Sequence, residues 1–210
     1  MRMMLVVATL LVVVNVASAD IFAVDLGLGG NPLPSSFALG PWTASALPDD
    51  MQPTGYAPVM SAPGTPPLSG DVTFSQEVLH ALVGPDWGSW AADRTPDVYY
   101  TNGATSLTLG MPAGAVAFAL WVEPNPFDVF DITVTAMDPT GAPTSLTIPV
   151  DGLGGANGFG FYTTAGQTIS SIDIGAEVDF AIGEFYGACV PEPATFSLLA
   201  LGGLALLRRR

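Results

Sequence analysis

From Asp71 to Tyr186, apolar and polar residues alternate in short runs, with the two-residue period of a strand that buries one face. The runs predict strands at Asp71–Ser75, Glu77–Val83, Val98–Tyr100, Thr105–Gly110, Val116–Glu123, Val129–Met137, Ser145–Val150, Phe159–Thr163, Ile169–Ile174 and Val178–Tyr186, after a first strand at Ile21–Leu26. Glu77–Val83 is ambiguous, because Ser75 is placed to cap a helix that Gly84-Pro85 would end. Its apolar positions 78, 79, 81, 82 and 83 fit no single helical face, which favours a strand. Turn chemistry separates the runs at Asn102-Gly103, Pro112-Ala113-Gly114, Pro124-Asn125-Pro126, Asp138-Pro139-Thr140-Gly141 and Gly154-Gly155-Ala156-Asn157-Gly158. Many short strands without a long helical pattern predict an all-β body, an antiparallel β-sandwich of jelly-roll-like arrangement in preference to a barrel.

The alternation also predicts faces. Val116, Phe118, Leu120 and Val122 should point into the core, as should Phe130, Ile132, Val134, Phe159, Phe161, Ile172, Ile174, Phe180 and Ile182. Trp121 and Glu123 then share the opposite face with Ala117 and Ala119, one large aromatic on a small, polar surface. Glu184 falls in phase with Phe180 and Ile182, where a bare carboxylate is costly, so it is expected to face Arg94 as a partner, a strand end, or water at the rim. Residues 31–70 carry prolines at 32, 34, 41, 48, 53, 58, 63, 66 and 67, which argues against a core strand. That stretch reads as a long loop or extended crossing segment pinned by Trp42 and Tyr56.

The two ends follow another pattern. Arg2 precedes an apolar run from Met3 to Val14, and Ala17-Ser18-Ala19 is a small-residue cleavage site. Residues 1–19 therefore read as a secretory signal peptide, a helix removed to leave Asp20 as the first residue; an uncleaved signal anchor is the alternative. At the other end, Pro191-Glu192-Pro193 precedes the uncharged run Ala194–Leu207 and then Arg208-Arg209-Arg210. Exposed to water, such a run would leave a large apolar surface uncovered. As a helix it reaches roughly 21 Å at ~1.5 Å per residue, short of a ~30 Å hydrocarbon core, a gap that snorkelling arginines and bilayer thinning can close. The arginines act as the membrane stop on the cytoplasmic side.

This tail, residues 189–210 with its junction, resembles the PEP-CTERM sorting signal in the order Pro191-Glu192-Pro193, apolar run, Arg208–Arg210. The same tail is also called the ice-binding protein C-terminal domain; ice binding would call for a flat, repeated Thr array, and the chain has no such internal repeat. The resemblance implies recognition by an exosortase, a membrane transpeptidase that cuts near the motif and releases or attaches the protein at the cell envelope. The body, residues 20–188, resembles over roughly Asp71 to Tyr186 the β-rich extracellular domain common in proteins with this tail. The residues that carry this are Asp97 to Ser106, Val122 to Phe127, Gly158 to Tyr162 and Asp179 to Phe185. It implies a sandwich at the cell surface and no catalytic residues. An ordinary, unprocessed single-pass anchor is the alternative for the tail.

Charge narrows the partners. Residues 20–188 hold fourteen Asp and four Glu against Arg94 alone, a formal charge of −17, and the chain has no Lys. Such a polyanion repels phosphate backbones, so nucleic acid is excluded as a partner. The single Cys189 makes no internal disulfide. One histidine, His80, and one cysteine cannot supply the common zinc sets, and no Gly-x-Ser-x-Gly elbow or Lys-bearing phosphate loop occurs. No catalytic residue and no cofactor is expected. The exception admitted is a structural calcium ion on loop carboxylates among Asp49, Asp50, Asp86, Asp93 and Asp97. The reading is thus a non-enzymatic, secreted surface or extracellular-matrix protein. The alternative is a carbohydrate-binding sandwich, with Trp121 and Glu123, or Trp87 and Trp90, as the aromatic and polar platform for polysaccharide.

Overall fold

The computed structural model describes residues 20–29, 32–90, 96–164 and 166–190. The signal segment with Ala17 and Ala19, the residues Asp93 and Arg94, and the tail with Pro191, Glu192, Pro193 and Arg208–Arg210 lie outside the described residues, as do both terminal helices expected above.

The chain forms strands β1 (Ile21–Gly27), β2 (Ser36–Leu39), β3 (Trp42–Ala46), β4 (Ala57–Ala62), β5 (Val72–Leu82), β6 (Asp97–Tyr100) and β7 (Ser106–Gly110). They continue as β8 (Ala115–Pro124), β9 (Val129–Met137), β10 (Pro143–Asp151), β11 (Asn157–Thr163), β12 (Ser171–Gly175) and β13 (Phe180–Cys189). Two expectations change here. The residues read as a loop contain β2, β3 and β4. Their prolines fall in turns and connections, except Pro58, which sits in β4 and meets only one neighbouring strand, where a missing N–H costs nothing. The two short strands expected at Asp71–Ser75 and Glu77–Val83 are one long strand, β5.

All ladders are antiparallel, in the order β1-β11-β8-β13-β6-β5-β7-β12-β9-β10. The last strand, β10, lies beside the first, with Thr144 Oγ1 donating to Ile21 O at 3.1 Å. The sheet is therefore nearly closed into a barrel. This order establishes the antiparallel all-β class expected from the sequence, and it does not establish a jelly roll.

Two strands make the corner. Thr73 pairs with both Ser61 and Gly110, and Leu79 with both Pro58 and Tyr100. Hence β4 takes one edge of β5, while β6 and β7 share the other in tandem. In the same way β13 gives one edge to β8 and divides the other between β6 and β3. The division coincides with a bulge between Gly183 and Tyr186, where Glu184 has φ 51°.

The main core fills the barrel. Phe118, Leu120, Val122, Phe159, Phe161, Phe180 and Ile182 meet Leu107, Leu109, Ile132, Val134, Ile148, Ile172 and Ile174 inside it. These are the inward phases expected, with two corrections. Phe130, at the start of β9, is only half-buried and joins neither core. Val116 belongs to a second core, because a bulge opposite Ala188–Cys189 puts Ala115 inside in its place. The second core lies on the other face of β8, β11 and β13. There Leu33, Leu39, Ala44, Trp87 and Trp90 cover Ala117, Ala119, Trp121, Ala181 and Tyr186. The β2–β3 hairpin and the 83–90 segment are thus a lid on what the alternation alone reads as an outer surface.

Candidate functional site

The platform expected at Trp121 and Glu123 is buried. Trp121 is 2% exposed, and its indole packs on Tyr186 with centroids 5.8 Å apart and edge-on to Phe37 at 6.5 Å. Alternation along β11 makes room for it. Phe159 and Phe161 point inward, while Gly158 and Gly160 present bare backbone outward; a Cβ on Gly158 would lie 2.6 Å from Trp121 Cε2. Glu123 is fully buried, and one carboxylate oxygen accepts from Trp87 Nε1 at 3.0 Å. Burial pushes its carboxyl above the usual carboxylate range, and the Ser89 and Trp87 side chains pull the other way. Among the described residues its second oxygen, and the indole nitrogens of Trp90 and Trp121, have no hydrogen-bond partner. Trp87 and Trp90, each 7% exposed, seal the same layer. The four residues named as a candidate ligand platform are therefore brought together, but as a second core rather than as a surface.

A clue to this was present in the chain. The run Ala115–Pro124 is buried at every position, as befits a strand covered on both faces, and its sequence is almost continuously apolar.

Beside Trp87, the surface opens into a cleft of about 150 Å³ lined by Tyr56, Asp86, Trp87, Ser89, Asn125 and Phe127. Tyr56 is held at φ 63° at the start of β4, its hydroxyl donating to Asp86 O at 2.5 Å. Trp87 packs on Tyr100 (5.4 Å), and Tyr56 meets Tyr100 edge-on (6.4 Å). The Tyr100 hydroxyl donates to Asp179, which also accepts from Gly103 N at 3.1 Å, and Asn125 Nδ2 donates to Tyr100 Oη at 3.2 Å. Partial burial and the Asp179 carboxylate together push the Tyr100 phenol up to about 12. Phe127, directly after Pro126, is 72% exposed. Sequence reasoning gave Tyr56 only the role of a pin and singled out neither Asn125 nor Phe127 as a site residue. An apolar residue placed in a polar turn was the available signal.

His80 and the loop aspartates form a second polar cluster, at the end of the barrel. The ring is fully buried and stacked on Tyr99, which stacks in turn on Phe185. Nδ1 faces Pro53 O at 3.0 Å, and Nε2 lies 2.8 Å from Asp97 Oδ1. The carbonyl can only accept, so Nδ1 carries a proton, and a second proton is shared between Nε2 and Asp97. Asp97 Oδ2 accepts from Asp50 N at 2.9 Å, and Tyr99 donates to Asp50 Oδ2 at 2.8 Å. Burial raises the Asp97 carboxyl, and desolvation also raises the Tyr99 phenol. Asp97, Tyr99 and Glu184 line a cavity of about 10 Å³, on the scale of one water. At the strand bulge Glu184, 1% exposed, lines this polar pocket beside Asp97 and Tyr99, next to main-core Phe185. Its candidate partner Arg94 lies outside the described residues. Asp86 Oδ2 accepts from Leu82 N at 2.9 Å, so three of the loop aspartates named for calcium are engaged locally. Among the described residues no group of three or more His, Cys, Asp or Glu side chains is placed to hold a metal ion.

The strand β13 ends at Cys189, half-buried against the 113–115 turn, and Val190 N donates to Gly114 O at 3.0 Å. Beyond this rung the sorting tail begins without a linker. Residues 190–210 match the family model of the PEP-CTERM protein-sorting motif. Neither the comparison with curated proteins nor that with solved structures gives a match.

Proposed function

We propose that this is an exported, non-enzymatic protein of the cell envelope or extracellular matrix. In this reading an N-terminal signal delivers it, an exosortase processes its C-terminal tail, and the tail holds it transiently in the membrane before the cut. The PEP-CTERM match at residues 190–210 carries this reading: its presence implies an exported protein sorted at the envelope by a membrane enzyme. The strongly acidic body supports it, since a net −17 between the two address segments favours solubility and self-repulsion outside the cell. The non-enzymatic part rests on His80. Both ring nitrogens are committed and the ring is sealed in the core, so it is not placed to activate a nucleophile.

The test is the intact mass of the protein recovered from its native host. The expected species lacks residues 1–19 and is cut near Pro191–Pro193. A full-length polypeptide in the cytosol with both termini uncut would remove the reading. The carbohydrate-binding alternative needs another surface than Trp121 and Glu123, since the β2–β3 hairpin and the Trp87–Trp90 segment bury both.

A further inference from the structure

We infer that the cleft between Tyr56, Trp87, Asn125 and Phe127 is a binding site for a ring of a neutral glycan. This goes beyond the sorting role and stands independently of where the tail is cut. Three observations carry it.

The first is the kind of wall. Phe127 presents an open ring face at 72% exposure, Tyr56 is 40% exposed, and Trp87 is fixed behind them by Glu123 and Tyr100. Trp87, held in this way, and Tyr56, held by its bond to Asp86 O, lose little freedom when a flat CH-rich face packs on them.

The second is the set of unspent polar atoms. Asn125 donates from Nδ2 to Tyr100 and Asp179, which fixes the amide and leaves Oδ1 as an acceptor. Asp86 spends Oδ2 on Leu82 N and leaves Oδ1. Rigid acceptors beside aromatic rings suit a ligand that brings several hydroxyl donors on an apolar ring, which describes a pyranose.

The third is charge. Asp86 lines the cleft, Asp179 accepts from its Asn125, and the body around it carries −17 with one Arg and no Lys, so uronate- or sulfate-bearing polymers are repelled. At about 150 Å³ the cleft is smaller than the roughly 300–1,000 Å³ of drug-sized pockets, room for one ring with the rest of a chain lying across the surface.

The experiment is titration of protein purified from its own host with cello-, laminari- and chito-oligosaccharides, read by tryptophan emission and calorimetry. Polygalacturonate serves as the acidic control. At least one neutral oligosaccharide should bind, with an affinity unchanged by added salt, and polygalacturonate should not. Phe127→Ala and Asn125→Ala should each weaken binding by roughly three- to tenfold. Phe127→Ala should leave the melting temperature unchanged, because the ring is exposed. Trp121→Phe should leave affinity unchanged. Three results overturn the assignment: no neutral oligosaccharide binding at millimolar concentration, binding insensitive to both cleft substitutions, or preference for the acidic polymer.

Discussion

Replacing Trp121 by Ala removes the most deeply buried tryptophan of the second core, and the outcome separates an indole that seals a layer from one that waits for a ligand. The ring is 2% exposed and packs on Tyr186 and Phe37, over the bare backbone of Gly158. Deleting a fully buried Trp costs about 3–5 kcal/mol, transfer and cavity terms together. That is a large part of a typical stability of about 5–15 kcal/mol, and for a chain of this length it lowers Tm by roughly 6–20 °C. Trp121→Phe keeps most of the packing. It also removes an indole N–H that has no hydrogen-bond partner among the described residues, so it should cost less than about 1.5 kcal/mol. Urea unfolding followed by far-UV circular dichroism measures both. If Trp121→Ala cost under about 1 kcal/mol, within the range of surface substitutions, the covered second core would be refuted.

Glu123→Gln tests the buried carboxyl through pH. Its folded-state value is raised by burial, so the wild type is favoured below the ordinary Glu value and loses that advantage as pH rises through the raised one. The variant should gain stability relative to wild type between acid and neutral pH, and parallel Tm profiles would contradict this. Asp97→Ala leaves His80 Nε2 and Asp50 N without their partner inside the protein, and should cost about 3–5 kcal/mol in urea unfolding, with Asp97→Asn costing less. Asp138 accepts from Thr140 N (2.8 Å), Ala142 N (2.9 Å) and Thr140 Oγ1 (2.7 Å) in the β9–β10 turn, and these bonds hold its carboxyl below the usual range. Asp138→Ala should lower Tm at neutral pH. The two proteins should converge as pH falls through the depressed value, where the wild-type carboxylate takes up a proton.

The turn at Asn102-Gly103 shows what local chemistry settles. Both residues adopt positive φ, 51° and 91°, as that dipeptide predicts. The Gly158-Phe159-Gly160-Phe161 alternation likewise sorts bare backbone to one face and rings to the other, and the strand class, most inward phases and the PEP-CTERM tail follow from residues a few positions apart. Tertiary structure decided the rest. Period-two alternation says that the two faces of β8 differ. It cannot say whether the second meets water or another layer, because the cover comes from β2, β3 and Trp87–Trp90, tens of residues upstream and partly in a proline-rich stretch. The bulges at Val116 and Glu184 flip the phase by one residue, and a bulge leaves no periodic signal. The cleft joins three separate segments, at Tyr56, at Asp86–Ser89 and at Asn125–Phe127, so no sequence spacing encodes it; only the folded chain brings those side chains within reach of one another.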